Sequence, residues 1–308
     1  MSRSSDLKYD LGLLGSVLVW GINFAVIKAV LALMSPHAMN LFRLSISAVT
    51  LGVLYAMQQR KAGEPFWAPV RQFGGRLLAL GLLGFLFYQL CFIIGVSLTK
   101  AGSAALIMAS SPLWTALIGH VVGFDKVPRR AWLGLLTTLV GAIVIVLGSS
   151  KAIDFSNDAF LGNALMMLAA VLWGAYTAFS KPVSRHATPV SISFLGLLFA
   201  LPFLIALGIP ALDTVVWSEV NYWIWIAILF SGALSTGITV AIWNTAIRAV
   251  GPSQTAVYGN LVPVIALISS YLLLGETVTW IQVLGGALII GGLLLTRRSR
   301  QPRIAVVG

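Results

Sequence analysis

Two short stretches of this chain carry the same mixture of ring and hydrogen-bonding side chains. Trp20, Asn23, Phe24 and Ile27 share one helical face by i, i+3, i+4, i+7 spacing. Trp173, Tyr176, Thr177 and Ser180 do the same further along. A ring beside a hydrogen-bonding group gives a small molecule both apolar contact and orientation, which is binding chemistry. Tyr88, Gln89 and Phe92, then Met108, then Thr255, Tyr258, Asn260 and Val262 add groups of the same kind. Gly232, Ser235, Thr236, Thr239 and Trp243 form a polar stripe that serves either a pocket or close helix packing. Covalent chemistry is not indicated. The sequence offers no nucleophile beside a base and no paired carboxylates within one element. His37, His120 and His186 lie far apart and fit no ligand spacing, and the single Cys91 gives neither a disulfide nor a metal cluster. No catalytic residue, metal or cofactor is expected.

The elements that must hold these faces are membrane spans. The chain is 58% hydrophobic and only 9% charged over 308 residues, against roughly 25% charged in a soluble domain. Ten apolar runs approach the roughly 20 residues that a span requires, at about 11–31, 38–57, 77–98, 103–122, 131–149, 160–180, 190–209, 222–246, 253–274 and 279–296. The first run keeps Trp20, Asn23 and Lys28 and lacks a small-residue cleavage site, so a span is expected there and not a cleaved leader.

The runs repeat. Trp20-Gly21, Lys28 and Ser35-Pro36 return as Trp173-Gly174, Lys181 and Thr188-Pro189 at an offset of 153. At an offset of 151, Pro112 pairs with Pro263, Asp125 with Glu276, Gly134 with Gly285 and Gly141 with Gly292. The expected fold is therefore an all-α integral membrane protein of ten transmembrane helices, built as two five-helix repeats over 1–152 and 153–308. Five is odd, so the second repeat enters the membrane inverted, and a binding site belongs between the repeats near mid-membrane. Pro112 and Pro263 are expected to kink spans 4 and 9 as paired gating elements.

Charge sets the orientation. With both termini in the cytoplasm, 16 of the 20 basic residues fall in the tails or inner loops, as the positive-inside rule requires. The net charge of +11 is then a topology signal, not a nucleic-acid footprint. Lys28 and Arg43 are the basic residues within spans, and either could snorkel to the outer headgroups or form a vestibule that attracts a carboxylate. Every acidic residue lies in a tail, a loop or a span end, with Asp125 and Glu276 as loop charges. Without a mid-membrane carboxylate, passage down a gradient is expected in place of proton coupling.

Trp20-Gly21-Ile22-Asn23-Phe24-Ala25-Val26-Ile27-Lys28, then Pro36 and Arg43, resembles the opening of an EamA domain. Pro263, Gly275-Glu276, Gly285 and Gly292 resemble its closing helices. Two such domains in tandem resemble the drug/metabolite transporter superfamily, and the aromatic content is most similar to bacterial amino-acid exporters of the YddG type. The resemblance implies an inner-membrane exporter or facilitator of small amphiphilic metabolites, amino acids including aromatic ones, working by alternating access. Export of other metabolites or lipophilic drugs, with proton coupling, is the alternative. Its partners would be that small molecule and the lipid bilayer, with no nucleic acid, and the chain is expected to be a monomer. One position departs from the repeat: Arg43 matches Gly196, so the halves are chemically unequal there.

Overall fold

The computed structural model describes residues 3–99, 101–124, 127–148, 157–275 and 280–298, and these are helical with no strand among them. Lys100, Asp125, Lys151, Asp154 and Glu276 lie outside the described residues. The helices are α1 (Arg3–Val30), α2 (Pro36–Ala62), α3 (Ala68–Gly81), α4 (Tyr88–Leu98), α5 (Ala101–Met108), α6 (Ser111–Val121) and α7 (Arg129–Gly148) in the first half. In the second half they are α8 (Asn157–Val183), α9 (Pro189–Gly208), α10 (Tyr222–Leu229), α11 (Thr239–Val250), α12 (Pro252–Ala256), α13 (Val262–Leu274) and α14 (Trp280–Arg298).

Eight helical stretches among the described residues are long and apolar enough to cross a membrane: Leu7–Val30, Pro36–Ala62, Ala68–Leu98, Ala104–Val121, Phe160–Val183, Pro189–Gly208, Tyr222–Val250 and Pro252–Leu273. The remaining two expected spans coincide with α7 and α14, whose apolar stretches are shorter, Ala131–Gly141 and Val283–Thr296. The outer surface is apolar as hydrocarbon demands: Leu7, Leu11, Leu14 and Leu18 of α1 are exposed along one face. Its opposite face supplies Leu13, Val17, Phe24 and Ile27 to a core that both halves share.

Local chemistry explains where the helices start. Ser35 caps α2 and Thr188 caps α9, each side-chain oxygen accepting a main-chain N–H in the first turn, with Pro36 and Pro189 at the first helical position. The repeated Ser/Thr-Pro pair is thus a helix-start device in both halves.

Four spans are not plain helices. A π-helical segment, Leu82–Phe87, joins α3 to α4, and another, Phe230–Ile238, joins α10 to α11. Such segments concentrate at functional sites because they re-aim side chains. Span 4 breaks between α5 and α6 at Ala109-Ser110. Span 9 breaks into α12, a 3-10 segment (Val257–Leu261) and α13. The breaks lie one turn before Pro112 and Pro263, and the prolines occupy the first turn of α6 and α13. There the missing N–H would be unpaired in any case. The expected proline kinks are therefore short irregular turns that keep right-handed backbone, with each proline in the first turn of the α-helix that follows.

Small residues fix how the halves pack. A Cβ on Gly21 of α1 would lie 2.4 Å from Ile265 of α13, and one on Gly174 of α8 would lie 2.7 Å from Trp114 of α6. Gly21 and Gly174 are 153 apart, and Trp114 and Ile265 are 151 apart. The crossing of α7 with α14 is also doubled: Gly134 meets the Gly292 carbonyl and Gly141 meets the Gly285 carbonyl. Only glycine permits main chains to approach this closely.

Candidate functional site

A cavity of about 70 Å³, partly open at its mouth, lies between the two halves. Helix α1 contributes Trp20, Asn23 and Phe24, α2 contributes Arg43, and α8 contributes Trp173. The first π segment gives Phe85, and α4 adds Tyr88, Gln89 and Phe92. The broken span 4 gives Met108 and Ser111, and the broken span 9 gives Gly259 and Val262. The second π segment supplies Ser235 and Thr236, and α11 supplies Val240 and Trp243.

These walls repeat. Trp20 and Trp173 are 153 apart. Phe85 and Thr236, Gln89 and Val240, Phe92 and Trp243, Met108 and Gly259, and Ser111 and Val262 are each 151 apart. Phe85, Ser111, Val240 and Gly259 escaped the sequence reading. Each is the repeat mate of a residue that the reading did single out, so applying the offset to those residues recovers all four.

The aromatic side is tightly organised. The Trp20 ring meets Trp173 edge-on at 5.5 Å and Trp243 at 4.9 Å. Trp173 is flanked by Tyr88 at 5.0 Å and by Tyr176, stacked at 5.3 Å. The indole N–H groups are committed: Trp20 donates to the Ser235 carbonyl at 2.9 Å and Trp243 to the Thr177 hydroxyl at 3.2 Å. The first of these bonds ties α1 to the second π segment.

The polar side centres on Arg43, which is 1% exposed. Its Nε donates to Asn40 at 3.0 Å and its Nη2 to the Gln89 side-chain oxygen. Asn40 in turn donates to the Gln89 main-chain oxygen at 3.3 Å. The guanidinium also lies 5.7 Å from the centre of the Phe92 ring. Asn23 is buried on the cavity wall, and its Oδ1 has no hydrogen-bond partner among the described residues.

Of the residues nominated from sequence, Trp20, Asn23, Phe24, Tyr88, Gln89, Met108, Trp173 and Arg43 come together on this wall. The structure places the others elsewhere. Tyr176 stands behind Trp173, its hydroxyl accepting from Asn244 at 2.7 Å. Tyr258 is buried in the 3-10 segment and donates to Asp10. Asp10, placed by sequence just before the first span, lies inside the Leu7–Val30 stretch and is half-buried. Asn260 is buried off the wall, with neither side-chain atom bonded among the described residues. Lys28 does not face a vestibule: its ammonium donates to the carbonyls of Val96, Ser97 and Thr99 at 3.0, 3.2 and 2.7 Å. It neutralises the negative end of α4. Its repeat mate Lys181 donates to the Phe124 carbonyl beyond α6. Pro112 and Pro263 sit beside the wall residues Ser111 and Val262, at the starts of the two half-helices.

A family model, the EamA-like transporter family, matches this chain twice, over residues 7–147 and 160–298. The chain belongs to that family. It is a membrane transporter with tandem EamA domains. Among its relatives, the "uncharacterized transporter YyaM" of Bacillus subtilis is 25% identical over 92% of this chain and 91% of its own length. A "probable amino-acid metabolite efflux pump" of Salmonella typhimurium is 27% identical, and one of Escherichia coli is 26% identical, each over 91% of both chains. A solved crystal structure shares the fold, with a TM-score of 0.74 at 17% identity, covering 94% of this chain and 98% of that one.

Proposed function

We propose that this transporter moves small amphiphilic metabolites, amino acids among them, through the cavity by alternating access between two inverted five-helix repeats, 1–152 and 153–308. The observation that carries the reading is the wall itself, whose residues pair at constant sequence offsets. A site on a pseudo-two-fold axis is lined this way, and inverted-repeat transporters bind substrate on that axis. The paired glycine crossings, the π segments in spans 3 and 8 and the breaks in spans 4 and 9 support the same symmetry. They also suit a gate that opens at alternate ends. Two relatives named as amino-acid metabolite efflux pumps favour an amino-acid substrate. The rings supply apolar contact, and Arg43 and Asn23 supply orientation. Counting α7 and α14 as short spans gives ten, and the excess of Lys and Arg in the tails and alternate loops supports cytoplasmic termini in an inner-membrane protein.

Single cysteines in a Cys91→Ser background test this directly. A cysteine at Arg71 should react with an impermeant thiol reagent from the cytoplasmic side only. A cysteine at Met108 should react with a small permeant reagent, and an aromatic or aliphatic amino acid should slow that reaction. Labelling of Arg71→Cys from outside would reverse the topology. Met108→Cys labelling indifferent to every amino acid in the panel would remove the cavity as the substrate path.

A further inference from the structure

Arg43 is a buried charge, and no carboxylate among the described residues meets it. Among the described residues no carboxylate lines the cavity. The acidic residue that enters a span, Asp10, is engaged by Tyr258 away from the wall. The two partners of Arg43, Asn40 and Gln89, are neutral amides that hold the guanidinium through Nε and Nη2. No bond through Nη1 to a described residue is seen. A buried cation is costly unless it is paired. Here the amides orient the fork, and the neutralising charge has to come from what enters the cavity. A planar guanidinium with a free edge matches a carboxylate in shape and charge.

The other end of an amino acid finds no such match. An ammonium entering this cavity would meet no anionic group among the described residues. Cation–π capture needs an open ring face. Trp173 has its faces taken by Tyr176, Tyr88 and Trp243 at 5.0–5.9 Å, and the Phe92 ring already receives the Arg43 guanidinium at 5.7 Å. The unpartnered Asn23 Oδ1 accepts an N–H whether or not it is charged.

We infer that the cavity is an organic-anion site: Arg43 recognises the carboxylate of the substrate, and the ammonium is dispensable. This inference rests on the transporter reading above and narrows its substrate class. Carboxylic acids with an apolar or aromatic body and an uncharged nitrogen, or none, are bound at least as well as the parent amino acids, and amines are rejected.

The test is binding to the purified full-length protein, followed by intrinsic tryptophan fluorescence, because Trp20, Trp173 and Trp243 report on the cavity. Four probes share one ring and differ in charge: 3-phenylpropanoate, phenylalanine, 3-phenylpropanamide and phenethylamine. The acid should bind as tightly as phenylalanine or tighter. It should exceed the neutral amide by about 10- to 100-fold, the range of a charge-assisted hydrogen bond, and exceed the amine by more. In Arg43→Gln the acid should fall to within about 3-fold of the amide. A purely structural arginine would weaken all probes alike and keep the ratio. If Arg43→Gln does not fold, the wild-type acid-to-amide and acid-to-amine ratios decide. Equal binding of acid and amide, or preference for the amine or for phenylalanine over the acid, overturns the anion inference and leaves the transporter reading standing. Failure of all four probes to bind removes both.

Discussion

Arg43 and Gly196 hold the same place in the two halves and do different work. At one crossing, a Cβ on Gly232 would lie 2.5 Å from the Arg43 carbonyl oxygen; at the other, a Cβ on Gly81 would lie 2.3 Å from the Gly196 carbonyl oxygen. The main chains therefore meet alike, since Gly81 and Gly232 are themselves 151 apart. The side chains part company. Arg43 sends a guanidinium to the cavity wall, whereas Gly196 leaves its space to the Phe85 ring, 3.4 Å from where its Cβ would stand. Asn23 against Tyr176 and Gln89 against Val240 show the same division. The scaffold is held by what the repeats share, and the chemistry of the cavity lies where they diverge.

The largest effect should come from the shared glycines. Gly81→Ala and Gly232→Ala each press a methyl against a main-chain carbonyl that cannot swing aside, at a cost of about 3 kcal/mol. Both should lower the melting temperature in detergent sharply and to a similar extent. A large loss in one with none in the other would break the equivalence of the two crossings. Next in size is Tyr258→Phe, which strips a hydrogen bond from the Asp10 carboxylate and should cost about 1–2 kcal/mol. Asp10→Asn with Tyr258→Phe should be less than additive in a double-mutant cycle; full additivity would mean that the two groups do not act on each other. The smallest effect belongs to Gly196→Ala. Its Cβ would find only ordinary contacts at 3.4 Å, so less than about 1 kcal/mol is expected. A loss as large as that of Gly81→Ala would mean that the crossing is tighter on the α9 side than the geometry allows.

Much of this was legible in the sequence because helical periodicity and a constant offset are simple signals. Trp20, Asn23 and Phe24 were readable from spacing on one continuous helix. Tyr258 and Asn260 were misplaced for the opposite reason. Span 9 becomes a 3-10 segment at Val257–Leu261, so faces drawn on a regular helix do not carry across it. The π segments were likewise invisible, since nothing in Leu82–Phe87 or Phe230–Ile238 marks an extra residue per turn. Lys28 looked like a vestibule charge because sequence does not reveal that the end of α4 lies within its reach. Tyr176 shares its repeat position with Asn23, but its longer side chain extends past the wall to Asn244.

Uptake of labelled amino acids into proteoliposomes is the most direct measurement of whether substrate passes between the repeats. With no carboxylate among the described residues of the cavity wall, wild-type vesicles should fill to the outside concentration and no further, with or without an inward proton gradient. Trp20→Ala and Asn23→Ala, purified as monodisperse protein, should slow that filling at least about tenfold if each removes about 1.4 kcal/mol of substrate interaction. Wild-type rates in both variants would contradict the cavity as the path, and accumulation above the outside level that collapses with an uncoupler would contradict gradient-driven passage.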